Sequence, residues 1–506
     1  MSSISIRSFS DLCRSTKNTS LCYNTYVKKI IISKLFLYRY RFVIGYIVLG
    51  LAFAFLLFLL PRIAQTGLSE AEINSATSSY YLGRNGILNG DLVDLPYRVL
   101  QKYSIMWLGL SSFAIKLPSI IVGLILGLLL ILLLNRWFKS NVSLLASCLI
   151  VLSTPFLFLA GSGTPLIMIV FWPTLLLWIG SKIQGEKRPK PLYSFVFAIV
   201  LLLSIFTPYM VYFALFCVIF VLIQPHLRFI VKNLPKLPLA LISLLVLGGF
   251  AVLGVSIYNH PGTIMELLFA DGFTVQQFLP NIAKGFAPVF SWHNSLEGVF
   301  LSPLVSLPTF ALALIGLFST TRGFFASRNS IASILIVFCL LITGFNPNAA
   351  IFFILPFSIL IAHGLKYLLE KWYGLFPENP YARIFALVPL TILFGIMIVP
   401  SLLQYVNGYR YNPKVATQFD YSLTTILDSS LEGKLIVNEH QDFYRILEES
   451  TNLTIGETYE TGENVAFLGK PEKTPKNYKL SRIITSPMRE NSDIIYLYTY
   501  SEEKGE

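Results

Sequence analysis

The chain has 506 residues, of which 54% are hydrophobic and 13% charged, and its mean hydropathy is +0.65. That composition excludes an ordinary soluble globule and indicates a polytopic membrane protein. The formal charge of +12 does not indicate nucleic acid, because the basic excess is confined to residues 1–402, the membrane part with its tail, which sum to +17, while residues 403–506 sum to −5.

Residues 1–41 read as a basic cytoplasmic tail without the short apolar core and small-residue cleavage site of a signal peptide. Residues 42–60 follow as an uncleaved signal anchor. A span needs about 20 apolar residues, at ~1.5 Å of rise each, to cross a hydrocarbon layer of ~30 Å. On that criterion ten further segments follow, at about 118–134, 142–160, 165–181, 192–207, 209–224, 237–257, 302–319, 330–344, 348–364 and 384–402. The expected body is therefore an all-α polytopic domain over 42–402 with about eleven transmembrane helices. Its two long outer loops are 61–117 and 258–301.

Charge supports this division. Lys and Arg are retained on the cytoplasmic side of a membrane. The spans send 22 of them to the tail and alternate loops and only 6, namely Arg62, Arg84, Arg98, Lys102, Lys116 and Lys284, to the opposite loops. The pattern predicts a multi-pass protein of the plasma (inner) membrane with its amino terminus in the cytoplasm. A basic collar beside anionic head groups accounts for the net charge, with membrane lipids as partners and no nucleic acid.

After Pro400 the composition turns mixed and polar. Strand-like runs at 434–437, 465–468, 480–485 and 493–500, with helical stretches at 421–428 and 442–449, predict a small extracytoplasmic α/β domain over 403–506. Cys13, Cys22, Cys148, Cys217 and Cys339 fall in the tail or in spans, so this domain is expected to hold together by packing rather than disulfides. Asn452-Leu-Thr454 is a glycosylation acceptor sequence in a suitable host.

Polar chemistry concentrates in the first loop. Glu70 and Glu72, in Leu68-Ser-Glu-Ala-Glu-Ile73, are the candidate catalytic carboxylates. On a helix the two lie about 200° apart, so they do not form a close dyad. A charge near a helix dipole accounts for either of them as well. Arg84, Arg98, Lys102 and Lys116 are candidate cations for a phosphate, with membrane-interface snorkelling the other reading of Lys116. Asp91 and Asp94, just before Pro96, are candidate binding residues that serve equally well as turn caps. In the second loop His260 and His293, with Glu266, Asp271 and Glu297, are candidate metal ligands without tight ligand spacing, so a divalent metal ion is an admissible cofactor. Tyr80, Tyr81, Tyr97, Tyr103 and Trp107 read first as an interfacial aromatic belt.

Several segments, taken in order, carry a resemblance. Trp107 to Gly123, with Lys116-Leu-Pro-Ser119, resembles the stretch of GT-C glycosyltransferases in which a loop helix reaches an Arg-Leu-Pro-Ser sequence and enters the second span. Upstream, Glu70 matches the Glu of an Asp-Glu-Ala motif, and Asp94-Leu-Pro-Tyr97 a Lys-Pro-Pro element. Downstream, Gly163-Thr-Pro-Leu166 matches Asp-x-Pro-Leu, and Asn346 to Gly364 matches an Arg-Tyr-Leu-Leu-Pro span. The protein O-mannosyltransferase-like and aminoarabinose-transferase-like branches are the most similar. The resemblance implies a glycosyltransferase of the cell envelope that moves a hexosyl or pentosyl group from a polyprenyl-phosphate donor to a lipid or protein acceptor at the outer face. The chain departs from the family by having Ser69, Gly163 and Asp94 where it has Asp, Asp and Lys. A catalytically degenerate relative that binds a lipid or partner is the alternative. Ion-coupled transport is disfavoured by spans nearly free of ionisable residues.

An inverting transfer needs a carboxylate to accept the acceptor's proton and cations or a metal to stabilise the departing phosphate. Glu70 is the preferred base and Glu72 the second.

Overall fold

The computed structural model describes residues 36–500 except 65–66, 85–91, 185–190, 233–235, 269–273, 291–295, 298–299, 302, 322–326, 376–380, 382–384, 386, 420, 422, 429–432, 438, 450, 452, 457, 460–463, 472–476 and 486–493. The chain divides into two compact units, residues 1–56 and 57–506. The described part of the first is the leading stretch of helix α1 (Phe36–Ala64), with Ile47, Val48, Leu51 and Phe55 exposed.

The second unit continues through α2 (Glu70–Tyr80), α3 (Leu95–Leu108), α4 (Ser112–Trp137), α5 (Ser140–Val151), α6 (Thr154–Gly161), α7 (Met168–Gln184), α8 (Pro191–Ile205), α9 (Met210–Ile223), α10 (Pro225–Lys232), α11 (Lys236–Asn259), α12 (Gly262–Leu268) and α13 (Phe278–Phe290). A short hairpin, β1 (Leu296–Glu297) and β2 (Phe300–Leu301), precedes α14 (Leu307–Thr321), α15 (Ser327–Phe345), α16 (Ile354–Gly374) and α17 (Leu387–Tyr411). Each of the eleven expected apolar segments is a helix, or a helix with a 3₁₀ lead-in, or in one case a bent pair. Five are long and apolar enough to cross a membrane, and six if the bent pair is one span. The other five are shorter over their described residues.

The bend has a local cause. α5 and α6 meet at 67° across a short break. Pro155 stands in the first turn of α6, and with no N–H and a ring that clashes with the preceding turn it cannot extend α5. Elsewhere glycine permits close crossing. A Cβ on Gly316 of α14 would lie 1.9 Å from the Leu360 carbonyl oxygen of α16, and one on Gly364 of α16 would lie 2.1 Å from the Leu312 carbonyl oxygen of α14. The two backbones touch where both side chains are missing.

Beyond α17 come α18 (Pro413–Ala416), α19 (Leu423–Asp428), β3 (Gly433–Ile436), α20 (Gln441–Glu448), β4 (Leu453–Gly456), β5 (Val465–Leu468), β6 (Tyr478–Ile484) and β7 (Ile495–Tyr500). The strands form one mixed sheet in the order β4-β3-β5-β7-β6. β3 pairs parallel with β4 and β5, while β7 pairs antiparallel with β5 and β6. Edge strand β6 is interrupted by a bulge between Leu480 and Arg482 and carries Lys479 and Arg482, features that discourage edge-to-edge association. The strands match the expected runs within about two residues, and β4 is additional to them.

One face of the sheet does not close on itself. Leu435, Val437, Ala466 and Ile495 of the sheet region, with Phe443 and Leu447 of α20, share a core with Ile73 and Ala76 of α2, Ile105 of α3 and Ile115 of α4. Leu68, just before α2, pairs backbone to backbone with Tyr421. The first long loop and the carboxyl-terminal region are thus one packed body, and the boundary expected near residue 403 falls inside α17.

Candidate functional site

The first turn of α2 separates the two glutamates. Ser69 is the N-cap in an extended conformation, its hydroxyl accepting from the Glu72 N–H at 3.3 Å while the Glu72 carboxylate accepts from the Ser69 N–H at 2.9 Å. This reciprocal pair is a capping box. Glu72 is turned inward and wholly buried, whereas Glu70, two positions earlier, is exposed.

A buried carboxylate must be paired. The second oxygen of Glu72 accepts the Gly163 N–H at 2.6 Å and lies 3.7 Å from the Lys116 ammonium. Lys116, near the start of α4, is itself buried, donates to the Gly67 carbonyl at 3.0 Å and sits 5.9 Å from the Phe419 ring centre. It is not a side chain reaching for the membrane surface, because its counter-charge is in the protein interior.

Two of the departures from the family pattern meet here. Ser69 supplies the cap, and Gly163 supplies a peptide N–H at a place where a side chain does not fit. A Cβ at 163 would come within 2.6 Å of Ile115 Cγ2 and 3.2 Å of the Ile115 carbonyl oxygen.

Gln101 of α3 completes the junction. It is fully buried, its amide donating to the carbonyls of Gly163 at 2.8 Å and Ile115 at 3.1 Å, and its carbonyl accepting from the Ser75 and Ser79 hydroxyls at 2.8 Å each. The Gly163 peptide is therefore held on one side by Glu72 and on the other by Gln101. Nearby, the buried Tyr97 hydroxyl lies 2.7 Å from Ser119 Oγ, which donates to the Thr164 carbonyl, and burial raises the Tyr97 phenol above its ordinary pKa. Sequence reasoning missed Gln101, since nothing local to a lone Gln announces that four groups from three other segments converge on it.

The remaining candidates lie apart from this junction. Asp94 is buried at the N-cap of α3, in the left-handed region at φ 54°, and its side chain makes no capping hydrogen bond, contrary to the turn-cap reading. Asp91 and His293 lie outside the described residues. Arg84 is exposed, stacks on Tyr81 and pairs at 3.8 Å with Glu449, the residue that caps the end of α20. Lys102 donates to the Leu82 carbonyl at 2.6 Å, and Arg98 lies half-buried one turn before it on α3. The structure does not gather the four cations into one cluster. His260 is exposed at the end of α11. Among the described residues no three His, Cys, Asp or Glu side chains are grouped to hold a metal ion.

Tyr80 and Tyr81, read from sequence as part of a membrane-interface belt, are instead tied to α20. Tyr80 donates to the Glu449 carboxylate, and Tyr81 donates to the Asp442 carbonyl at 3.0 Å. Burial first, and then the Glu449 bond, push the Tyr80 phenol up to about 12.

Comparison with known proteins agrees with this architecture. Residues 98–251, from α3 into α11, match the family model described as dolichyl-phosphate-mannose-protein mannosyltransferase. Among solved structures the chain is similar to ArnT from Cupriavidus metallidurans bound to undecaprenyl phosphate, with TM-score 0.53 and 11% identity over 91% of this chain and 99% of that one. It is also similar to the archaeal oligosaccharyltransferase AglB from Archaeoglobus fulgidus, in complex with an inhibitory peptide and a dolichol-phosphate, with TM-score 0.51 and 13% identity over 83% of this chain and 64% of that one. No curated protein matches by sequence. By fold the chain is thus similar to these solved structures over most of its length, and the stretch from α3 into α11 matches the mannosyltransferase family model.

Proposed function

We propose that the protein is a membrane glycosyltransferase that moves a hexosyl or pentosyl group from a polyprenyl-phosphate-linked donor to a lipid or protein acceptor. The reaction is assigned to the outer face of the plasma (inner) membrane, as the Lys and Arg distribution indicates. Two proteins of the same fold, ArnT and AglB, were solved with undecaprenyl phosphate and with a dolichol-phosphate, which supports a lipid-linked donor here.

The observation that carries the catalytic assignment is the division of labour on α2. Glu72 is fully enclosed and committed to Ser69, Gly163 and Lys116, while Glu70 faces solvent. Glu70 is therefore the proposed general base. The acceptor hydroxyl attacks the anomeric carbon as the bond to the donor phosphate oxygen breaks. The proton passes to Glu70, and the bonding pair leaves with the polyprenyl phosphate. Arg98 and Lys102, four apart on one face of α3, are assigned to the departing phosphate as a pair of neighbouring cations. The ammonium of Lys102 has three N–H groups and remains able to donate beyond its bond to Leu82.

The test uses purified full-length protein with an undecaprenyl-phosphate sugar. Glu70→Gln should slow transfer by about 10²–10⁴-fold while undecaprenyl phosphate still binds. An unchanged rate in Glu70→Gln would remove Glu70 from the chemistry. A wild type that binds the lipid yet turns over no donor would mark a lipid-binding protein without catalysis.

A further inference from the structure

On the outer side of α2 a cleft of about 340 Å³ opens against α20, lined by Asn74, Thr77, His440, Gln441, Asp442 and Phe443. Its size is at the lower end of small-molecule sites, which run from ~300 to ~1,000 Å³. We infer that this cleft seats the acceptor of the proposed transfer, and that the acceptor group is an uncharged saccharide presenting neighbouring hydroxyls. The inference rests on the glycosyltransferase reading above.

Position argues for it first. Glu70, Asn74 and Thr77 stand at i, i+4 and i+7, so they share one stripe of α2, opposite the inward face that carries Glu72. Glu70 precedes Asn74 by about 6 Å along the axis, at ~1.5 Å per residue. A hydroxyl group held over Asn74 is therefore on the side of the helix where the proposed base is exposed.

Chemistry argues for it second. The lining offers two amides, a hydroxyl, an imidazole and a carboxylate, and among its described residues there is no Lys or Arg. Asp442 is its carboxylate, paired with Arg445 one turn along α20 at 3.4 Å, so the lining carries no Lys or Arg of its own to hold a phosphate, whereas a polyol donates to carboxylate and carbonyl oxygens and accepts from amide and imidazole N–H groups. Thr77 already donates its proton to the Ile73 carbonyl at 2.8 Å, so its oxygen faces a ligand as an acceptor. Gln441 spends an amide N–H on the Val437 carbonyl at 3.3 Å and likewise keeps its carbonyl as an acceptor. Phe443 is buried in the core, which leaves no apolar side pocket of the kind that selects a peptide side chain.

The walls are also fixed before a ligand arrives. Tyr80 and Tyr81 tie the end of α2 to Glu449 and Asp442, and the Leu68–Tyr421 bridge ties its beginning to the carboxyl-terminal region. Preorganisation of this sort lowers the ordering cost of binding.

Saturation-transfer NMR on the full chain in lipid nanodiscs tests the assignment, with methyl hexopyranosides, a methyl pentoside, a blocked Ser/Thr tripeptide and inorganic phosphate as probes. A methyl glycoside should receive saturation, and the signal should fall at least fivefold in Asn74→Ala and in Thr77→Val, with thermal stability and undecaprenyl phosphate binding unchanged. No glycoside signal in the wild type, equal signals in both variants, or binding of the tripeptide or phosphate in place of the glycosides would each overturn it. Failure of the parent reading is separate: it would appear as a wild type that binds glycosides in the cleft but neither binds undecaprenyl phosphate nor transfers sugar from it.

Discussion

Glu72 carries a full charge in a place that water does not reach, and three groups make that tolerable: a capped helix start, one peptide N–H and one ammonium. Removing the charge while keeping the shape leaves Lys116 as an uncompensated buried cation, so Glu72→Gln should destabilise the protein by about 3–5 kcal/mol. Thermal unfolding in detergent measures the loss, and Lys116→Met in the same chain should recover part of it. Gly163→Ala tests the same junction from the other side. Its methyl must displace Ile115, at a cost of about 1–3 kcal/mol, and the shift would pull the peptide N–H from Glu72. Part of this was legible in the sequence. Ser69-x-x-Glu72 has the spacing of a capping box and the helical geometry separates Glu70 from Glu72, but the partnership of Glu72 with Lys116 and Gly163 joins a helix and a turn 44 and 91 positions away and has no local signature.

Among elements, the long aliphatic runs read directly as helices because backbone satisfaction in a bilayer leaves few alternatives. How those helices approach one another is a different question, decided by single atoms. Gly316→Ala or Gly364→Ala should force α14 and α16 apart and lower the melting temperature. Gly180→Ala in α7, where nothing lies within 4 Å of the new methyl, should leave it unchanged. If all three behave alike, the crossing is looser than described. Strands β3, β5 and β7 were visible as β-branched and aromatic runs, whereas β4 was not. Leu453-Thr-Ile-Gly456 is four residues long, ends in a glycine and is held by parallel pairing to β3 across an intervening helix, so its stability is tertiary rather than local.

For the molecule as a whole, the shared core has a topological corollary. Residues 68–115 and the carboxyl-terminal sheet bury the same cluster, so both must be on one side of the membrane whichever side that is. A chain ending after α17 would expose Leu68, Ile73, Ala76 and Ile105 together, and limited trypsin digestion should then cut at Arg84, Arg98 or Lys102 far faster than in the full protein. Equal protection would mean that the first loop folds without its partner. Charge asymmetry along the sequence bears on which side that is but could not reveal this union, which joins positions hundreds of residues apart.

The Tyr80–Glu449 bond spans 369 positions. At roughly 5–20 residues per second, a ribosome needs roughly 20–70 s to deliver the second partner after the first. Through that interval the nascent α2 can pack on α3 and α4 but lacks the α20 side of its core, so a quality-control factor or protease at the membrane would meet that face uncovered until the sheet region is made.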